Sequence, residues 1–501
     1  MTIHLSIVLF LPLACGLVSA LLPPRLGRSA VLAGPLLVLA YVIVMLVDFE
    51  SGGGLQWVTN DEWVSELGIS YKLGVDGLNL FMIALTAVSW VACTLVAAFT
   101  VMERSRLFFF WLALAETAVL GAFMAQDLAL FIVFFDLMLV PFYFLIGGWG
   151  TGERVRATTK FVIYTLSGSL LMMAAAIALW VLATPDGGEI SFALSDLQQR
   201  SIPEGSQNWI VLLFALAFFV KAPLFPLHGW VPETYRSTSI PVLALLSGVL
   251  SKVGVYGFLR IVLPVMPDGA QYWQELFIIV AVFSILYGSI LAFSQDNVRL
   301  VLAYSSIAQL GFIVLGIFAF QDKGAQGALF QMLNHGLVTV PLFLILGVIA
   351  IRAHGRESLS ELGGMAFRAP VLAALFLVIS LATLAMPGSG NFVGEILILF
   401  GTFENQLVYG LVASVGVVLA AVYMIRLYQG TMHGRVGPLV ESSDVDRVNL
   451  AAIVPLVAVI VALGVYPNFV VHRTEKDTTA SIAKVSHAGG ATAEAVQEAA
   501  R

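Results

Sequence analysis

Six ionisable side chains fall inside long apolar stretches of this sequence: Glu116, Asp136, Lys221, Lys252, His335 and Glu395. A charge at the centre of a bilayer costs at least about 2.5–3.5 kcal/mol, so each needs a reason to be there. In chain order they are carboxylates, ammonium groups, an imidazole and a final carboxylate, the types from which intramembrane proton relays are built. A lysine beside a carboxylate keeps its charge. When the partner withdraws, apolar surroundings favour the neutral amine and the proton is released. His228 and Glu233, in PLHGWVPE, follow Lys221 and suit either the gating of proton uptake or the capping of a re-entrant turn. Ser305, Ser306 and Gln309, in AYSSIAQLGF, put hydroxyls and an amide in mid-span, to hold water between charges or to bond across helices.

Each site also has a structural reading. Asp136 and Lys221 can be a static ion pair joining two helices. His335 can bond a backbone carbonyl, and Glu116 can face a neighbouring subunit or snorkel. Glu395 follows the Gly-rich run GSGNFVG, where a carboxylate suits a new helix start. Lys252 is harder to explain by packing, because nothing structural calls for an ammonium at mid-span.

The elements that must position these groups are membrane helices. Hydrophobic residues make up 59% of the 501, charged residues 11%, and the mean hydropathy is +0.95. No soluble core requires that composition. Apolar stretches of about twenty residues recur along the chain, giving an expected all-α polytopic membrane protein of about fourteen transmembrane helices. The seventh breaks at Lys221-Ala-Pro-Leu-Phe-Pro, because proline removes backbone donors. The twelfth breaks at Met386-Pro-Gly-Ser-Gly. A broken helix at membrane depth is tolerated only where protein buries it or water reaches it. The two breaks stand an odd number of spans apart, so the broken helices run in opposite directions, the sign of two inverted five-helix repeats. The expected divisions are 1–106 (spans 1–3), 107–263 (first repeat), 264–428 (second repeat), 429–470 (a loop and the last span) and a polar tail, 471–501, of mixed charge and at most partly helical. Arg25, Arg28, Arg104, Arg106, Arg154 and Arg156 lead the basic residues at one membrane face, against Lys72, Arg200, Arg260 and Lys323 at the other. The positive-inside rule then places both termini outside.

Other chemistries find little support. The net charge of −6 argues against a nucleic-acid partner. Gly388, Gly390 and Gly394 do not make the dinucleotide fingerprint, and no phosphate-cradling P-loop occurs. Cys15 and Cys93 are isolated in apolar runs and read as small buried residues. Only His335 among the histidines is deep, whereas a membrane haem wants two. Neither a metal site nor a redox centre is expected in this chain.

Several runs then resemble one family. KAPLFPLHGWVPETY (221–235), GVDGLNLF (74–81), FFDLMLVPFYFLIG (134–147), AYSSIAQLGF (303–312) and NHGLVTVPLF (334–343) are similar to the proton-conducting antiporter-like membrane proteins. That family includes the large membrane subunits of NADH:quinone oxidoreductase (complex I), subunits of multi-component Na⁺/H⁺ antiporters, and membrane hydrogenase subunits. The resemblance implies a proton-translocating membrane-arm subunit, an enzyme only as part of a translocase, with a Na⁺/H⁺ antiporter subunit as the alternative. It implies Asp136 and Lys221 as an electrostatic switch, Lys252 and His335 as the middle of the relay, and Glu395 as the terminal group, with Glu116 and His228 as further members. Glutamate rather than lysine in the second broken span resembles the M-type branch. FMN, iron–sulfur clusters and quinone would belong to partner subunits. Those partners would be L-type and N-type membrane neighbours and a hydrophilic arm, all on the bacterial plasma membrane. Two positions depart from the family pattern. Asp136 stands where glutamate is usual, and Gln309, which cannot titrate, where many relatives have histidine.

Overall fold

The computed structural model describes residues 4–101, 103–184, 190–437, 440–441 and 443–499. Apolar stretches fold as helices because a backbone in hydrocarbon must satisfy its own hydrogen bonds. In order these are α1 (Leu5–Leu21), α2 (Pro24–Asp48), α3 (Leu80–Thr100), α4 (Ser105–Met124), α5 (Leu128–Leu137), α6 (Leu139–Trp149) and α7 (Arg154–Ala183). Then come α8 (Glu204–Lys221), α9 (Val231–Ser237), α10 (Ile240–Val265), α11 (Gln274–Ser294), α12 (Val298–Phe318), α13 (Asp322–Arg352), α14 (Pro370–Thr383) and α15 (Gly390–Asn405). The last are α16 (Leu407–Met432), α17 (Arg447–Val465) and α18 (Asn468–Ala499). Among the described residues eleven spans are long and apolar enough to cross a membrane, α5 and α6 counting as one; α1 and α14 are shorter apolar helices. The seventh expected span is the helix α8, and both expected breaks are present, after Lys221 and between Thr383 and Gly390.

The helices that carry the polar residues form the core. α10 is wholly buried and α12 and α13 nearly so, whereas only about a third of α2, α16 and α17 is buried. A chain that buries its polar spans and exposes its most apolar ones is arranged for lipid rather than water.

Three features depart from the expected pattern. The acidic connection after α2 forms a hairpin, β1 (Gln56–Val64) antiparallel to β2 (Ile69–Val75). Asp127 anchors it, accepting from Ser70 N at 3.1 Å. The polar tail is helical from Asn468. Val470, Thr474, Thr478, Ser481, Ile482 and Val485 are buried, a spacing of three and four that makes one packed face. Threonine and serine on that face hide its amphipathic character from a hydropathy reading. Finally, Arg260, counted with the cations at one membrane face, is buried inside α10, 7% exposed and paired with Asp76.

One cap is directly testable. The Asp446 side chain accepts from Val448 N at 2.9 Å and Asn449 N at 3.0 Å at the start of α17. Partial burial works against its charge, but bonds from the Asn449 side chain and these backbone amides win and hold its carboxyl below the usual range. A depressed carboxyl stabilises the fold above its unfolded pKa, and that contribution fades as pH falls through the folded value. Asp446→Ala is expected to cost about 1 kcal/mol. Thermal unfolding in detergent should show the loss at neutral pH and a smaller difference in acid.

Candidate functional site

The break after α8 is built to end on an ammonium. Lys221 is the last helical residue, 3% exposed, and Nζ donates to the Phe135 carbonyl on α5 at 3.2 Å. It also lies 4.5 Å from the centre of the Phe135 ring, a contact worth about 2 kcal/mol when desolvated. The broken turn stays internally satisfied. Trp230 Nε1 donates to Val220 O at 3.0 Å, and Phe225 N donates to Ser284 Oγ at 3.0 Å. Asp136, next to Phe135, is half-buried and interacts electrostatically with Lys221 and with the Ser169 hydroxyl. The two form no contact ion pair, so the static pair expected as the structural reading is not made. Lys221 holds the neighbouring carbonyl instead, as suits an acid one methylene shorter than glutamate.

Lys252 sits in α10 between two π-helical turns, Leu246–Leu250 and Phe258–Val262, and is fully buried. π-turns leave carbonyls off the regular ladder. Lys252 Nζ donates to Ser247 O at 2.8 Å and to Ser251 Oγ at 3.3 Å. Glycines bring its neighbours close. A Cβ on Gly254 would stand 2.7 Å from Phe218 O of α8, and one on Gly336 2.7 Å from Gly248 O. The second approach places α13, with His335, against the Lys252 region. His335 is 2% exposed, its Nδ1 has no hydrogen-bond partner, and it interacts electrostatically with Lys252.

Glu395 is also buried, on α15 beyond the second break. It does not cap the helix, because Ser389 does, accepting from Phe392 N at 3.3 Å. Its Oε1 accepts from Gln309 Nε2 at 2.9 Å, and Gln331 Nε2 donates to Gln309 Oε1 at 2.8 Å. Glu395 Oε2 has no partner. Gln309 therefore contacts the terminal carboxylate directly and orients it. Between Lys252 and Glu395, α12 lays a polar stripe: Ser306 Oγ lies 3.1 Å from Ser247 Oγ, and Ser305 Oγ donates to Tyr423 OH at 3.0 Å. Gln331 and Tyr423 were not among the residues singled out from sequence. Gln331 had a signal, standing four residues before His335 on the same helix face. Tyr423, one of three tyrosines in its apolar span, had none.

His228 is 8% exposed, its Nδ1 without a partner, among the rings of Phe225, Tyr287 and Tyr304. Glu233 is bound instead to Lys160 at 2.8 Å. Glu116 is fully buried and neither oxygen has a partner. It interacts electrostatically with Cys15 of α1 and is shut inside the chain, away from the lipid.

Helices broken at membrane depth, carrying separately placed buried acids and bases joined by hydroxyls and amides, define an ion-translocating membrane protein. Residues 125–420 match the family described as NADH:quinone oxidoreductase/Mrp antiporter, transmembrane, and the chain belongs to that family. It is 35% identical over 485 residues to NADH-quinone oxidoreductase subunit M of Rhodobacter capsulatus, covering 93% of this chain and 94% of the relative. A chain in respiratory complex I from Thermus thermophilus superposes with a TM-score of 0.89 at 30% identity, covering 96% of this chain and all of that one. A chain of the Mrp complex from Dietzia sp. has TM-score 0.83 at 21% identity, covering 96% and 99%, and shares the fold.

Proposed function

We propose that this chain is a proton-translocating membrane-arm subunit of NADH:quinone oxidoreductase, of the M type. The observation that carries the reading is the buried series Lys221, Lys252, His335 and Glu395, spread across helices that share the complex I fold. Each group exchanges a proton with its neighbour through hydroxyls or water, and none needs a redox centre. Asp136 acts as the switch: approaching Lys221 it favours the charged amine, and withdrawing it favours release. Moving one charge against 100 mV takes about 2.3 kcal/mol, comparable with making or breaking one partly buried charge contact. His228 serves proton uptake and Glu116 lies beside the path. The energy comes from quinone reduction in partner subunits, which hold the FMN, iron–sulfur clusters and quinone.

The terminal carboxylate, glutamate rather than lysine, supports the M-type assignment, with L-type and N-type chains as neighbours and a hydrophilic arm beyond them. The arginine-rich end of the bundle faces the cytoplasm and the hairpin end faces outward, across the bacterial plasma membrane. Residues 107–263 and 264–428 form the two inverted repeats. Purifying the tagged chain in mild detergent tests the assembly. Flavin, iron–sulfur protein and quinone-reducing activity should come with it. Recovery with other membrane subunits alone, and loss of Na⁺ resistance when the chain is deleted, would overturn the reading in favour of a Na⁺/H⁺ antiporter.

A further inference from the structure

Lys252, Tyr256 and Arg260 stand four residues apart on α10 and share one helix face. Eight residues from Lys252 to Arg260 span about 12 Å. This face therefore carries a polar line from mid-span toward the hairpin end. Left open, it would give a proton on Lys252 a short outlet that bypasses His335 and Glu395.

The far end of this face is instead held in a clamped ion pair. Arg260 bonds Asp76 through both terminal nitrogens, each at 2.6 Å, and Arg260 Nε donates to Tyr256 OH at 2.7 Å. The Tyr256 hydroxyl itself donates to Phe123 O at 3.1 Å. Asp76 is fixed in turn: its backbone N–H donates to Asn79 Oδ1 at 2.9 Å, and its Oδ1 accepts from Leu78 N at 3.0 Å. The next residue, Gly77, donates its N–H to Asp477 Oδ2 of α18 at 2.6 Å. Lys252 Nζ, by contrast, points away from this cluster, to Ser247 O and Ser251 Oγ. A guanidinium keeps its charge at any working pH, and a fixed arginine in a narrow path is a known kind of barrier to protons.

We propose that Arg260, clamped by Asp76 and Tyr256, is a positioning residue that seals the hairpin end of α10. Protons on Lys252 are thereby directed sideways to His335 and Glu395. This rests on the relay reading above. The double variant Asp76→Asn with Arg260→Gln tests it, because it removes both charges together and leaves neutral amides in their place. Neutralising one partner alone would strand a buried charge. In membrane vesicles holding the assembled complex, without NADH, an imposed pH difference should decay several-fold faster in the double variant. Adding Lys252→Met should restore the original decay. Wild-type decay in the assembled double variant overturns the proposal, as does a fast decay that survives Lys252→Met. Should the double variant fail to assemble, Tyr256→Phe, which deletes one hydroxyl, serves instead: faster decay supports the seal and unchanged decay overturns it. The relay reading fails on a different measurement, NADH-driven proton uptake in Lys252→Met alone.

Discussion

Lys252→Met is expected to leave assembly intact and to lower proton flux through this subunit by about 100-fold. Assembly survives because Ser247 O keeps its bond from Ser251 Oγ at 2.8 Å, and methionine fills nearly the same volume without a buried charge to satisfy. Flux falls because a proton crossing mid-span without a basic group meets the bare cost of a charge in hydrocarbon, at least about 2.5–3.5 kcal/mol. At 1.36 kcal/mol per factor of ten, that is about two orders of magnitude in rate. The measurement is NADH-driven proton uptake by inverted membranes, beside NADH oxidation with an artificial acceptor. Acceptor activity should persist while quinone-linked uptake collapses. Intact uptake in the assembled variant would remove Lys252 from the relay.

Glu395→Gln should show an effect of similar size. Glutamine matches the shape and still accepts from Gln309, so the contact at 2.9 Å can be kept while titration is lost. The relay is then blocked at its last group, and coupled uptake should fall by about 100-fold, the low end for loss of one positioned proton-transfer group. Glu395→Asp separates titration from placement. It keeps an acid but draws it back one methylene from the Gln309–Gln331 pair, so partial activity is expected. If Glu395→Gln pumps normally, the terminal acid lies elsewhere, and the unpartnered oxygen of Glu395 has a structural role only.

Membrane character, the helical spans and both breaks were legible in the sequence because each is a local property. Hydropathy over twenty residues marks a span, and proline or clustered glycine marks where the backbone ladder stops. The charged candidates were legible for the same reason: Lys221, Lys252, His335 and Glu395 stand out against apolar surroundings, and all four are buried. The β-hairpin and the helical tail were not. Each is short on hydropathy contrast and is held by long-range bonds, such as Ser70 to Asp127 and Gly77 to Asp477.

Pairing was decided only by the tertiary structure. Asp136 and Lys221 could be read as a static pair or as a switch, and in the structure Lys221 bonds the carbonyl one residue before Asp136. Gln309 looked like a gap in the relay, yet it holds Glu395 together with Gln331 from another helix. Arg260 counted only as a cation at one membrane face, yet it is locked to an acid 184 residues away. The sequence by itself determined which groups are costly in a bilayer, because that cost depends on residue type and local hydropathy. Only the packing of α10, α12, α13 and α15 decided which of them meet, because hydrogen bonds act over about 3 Å and chain order says nothing about that distance.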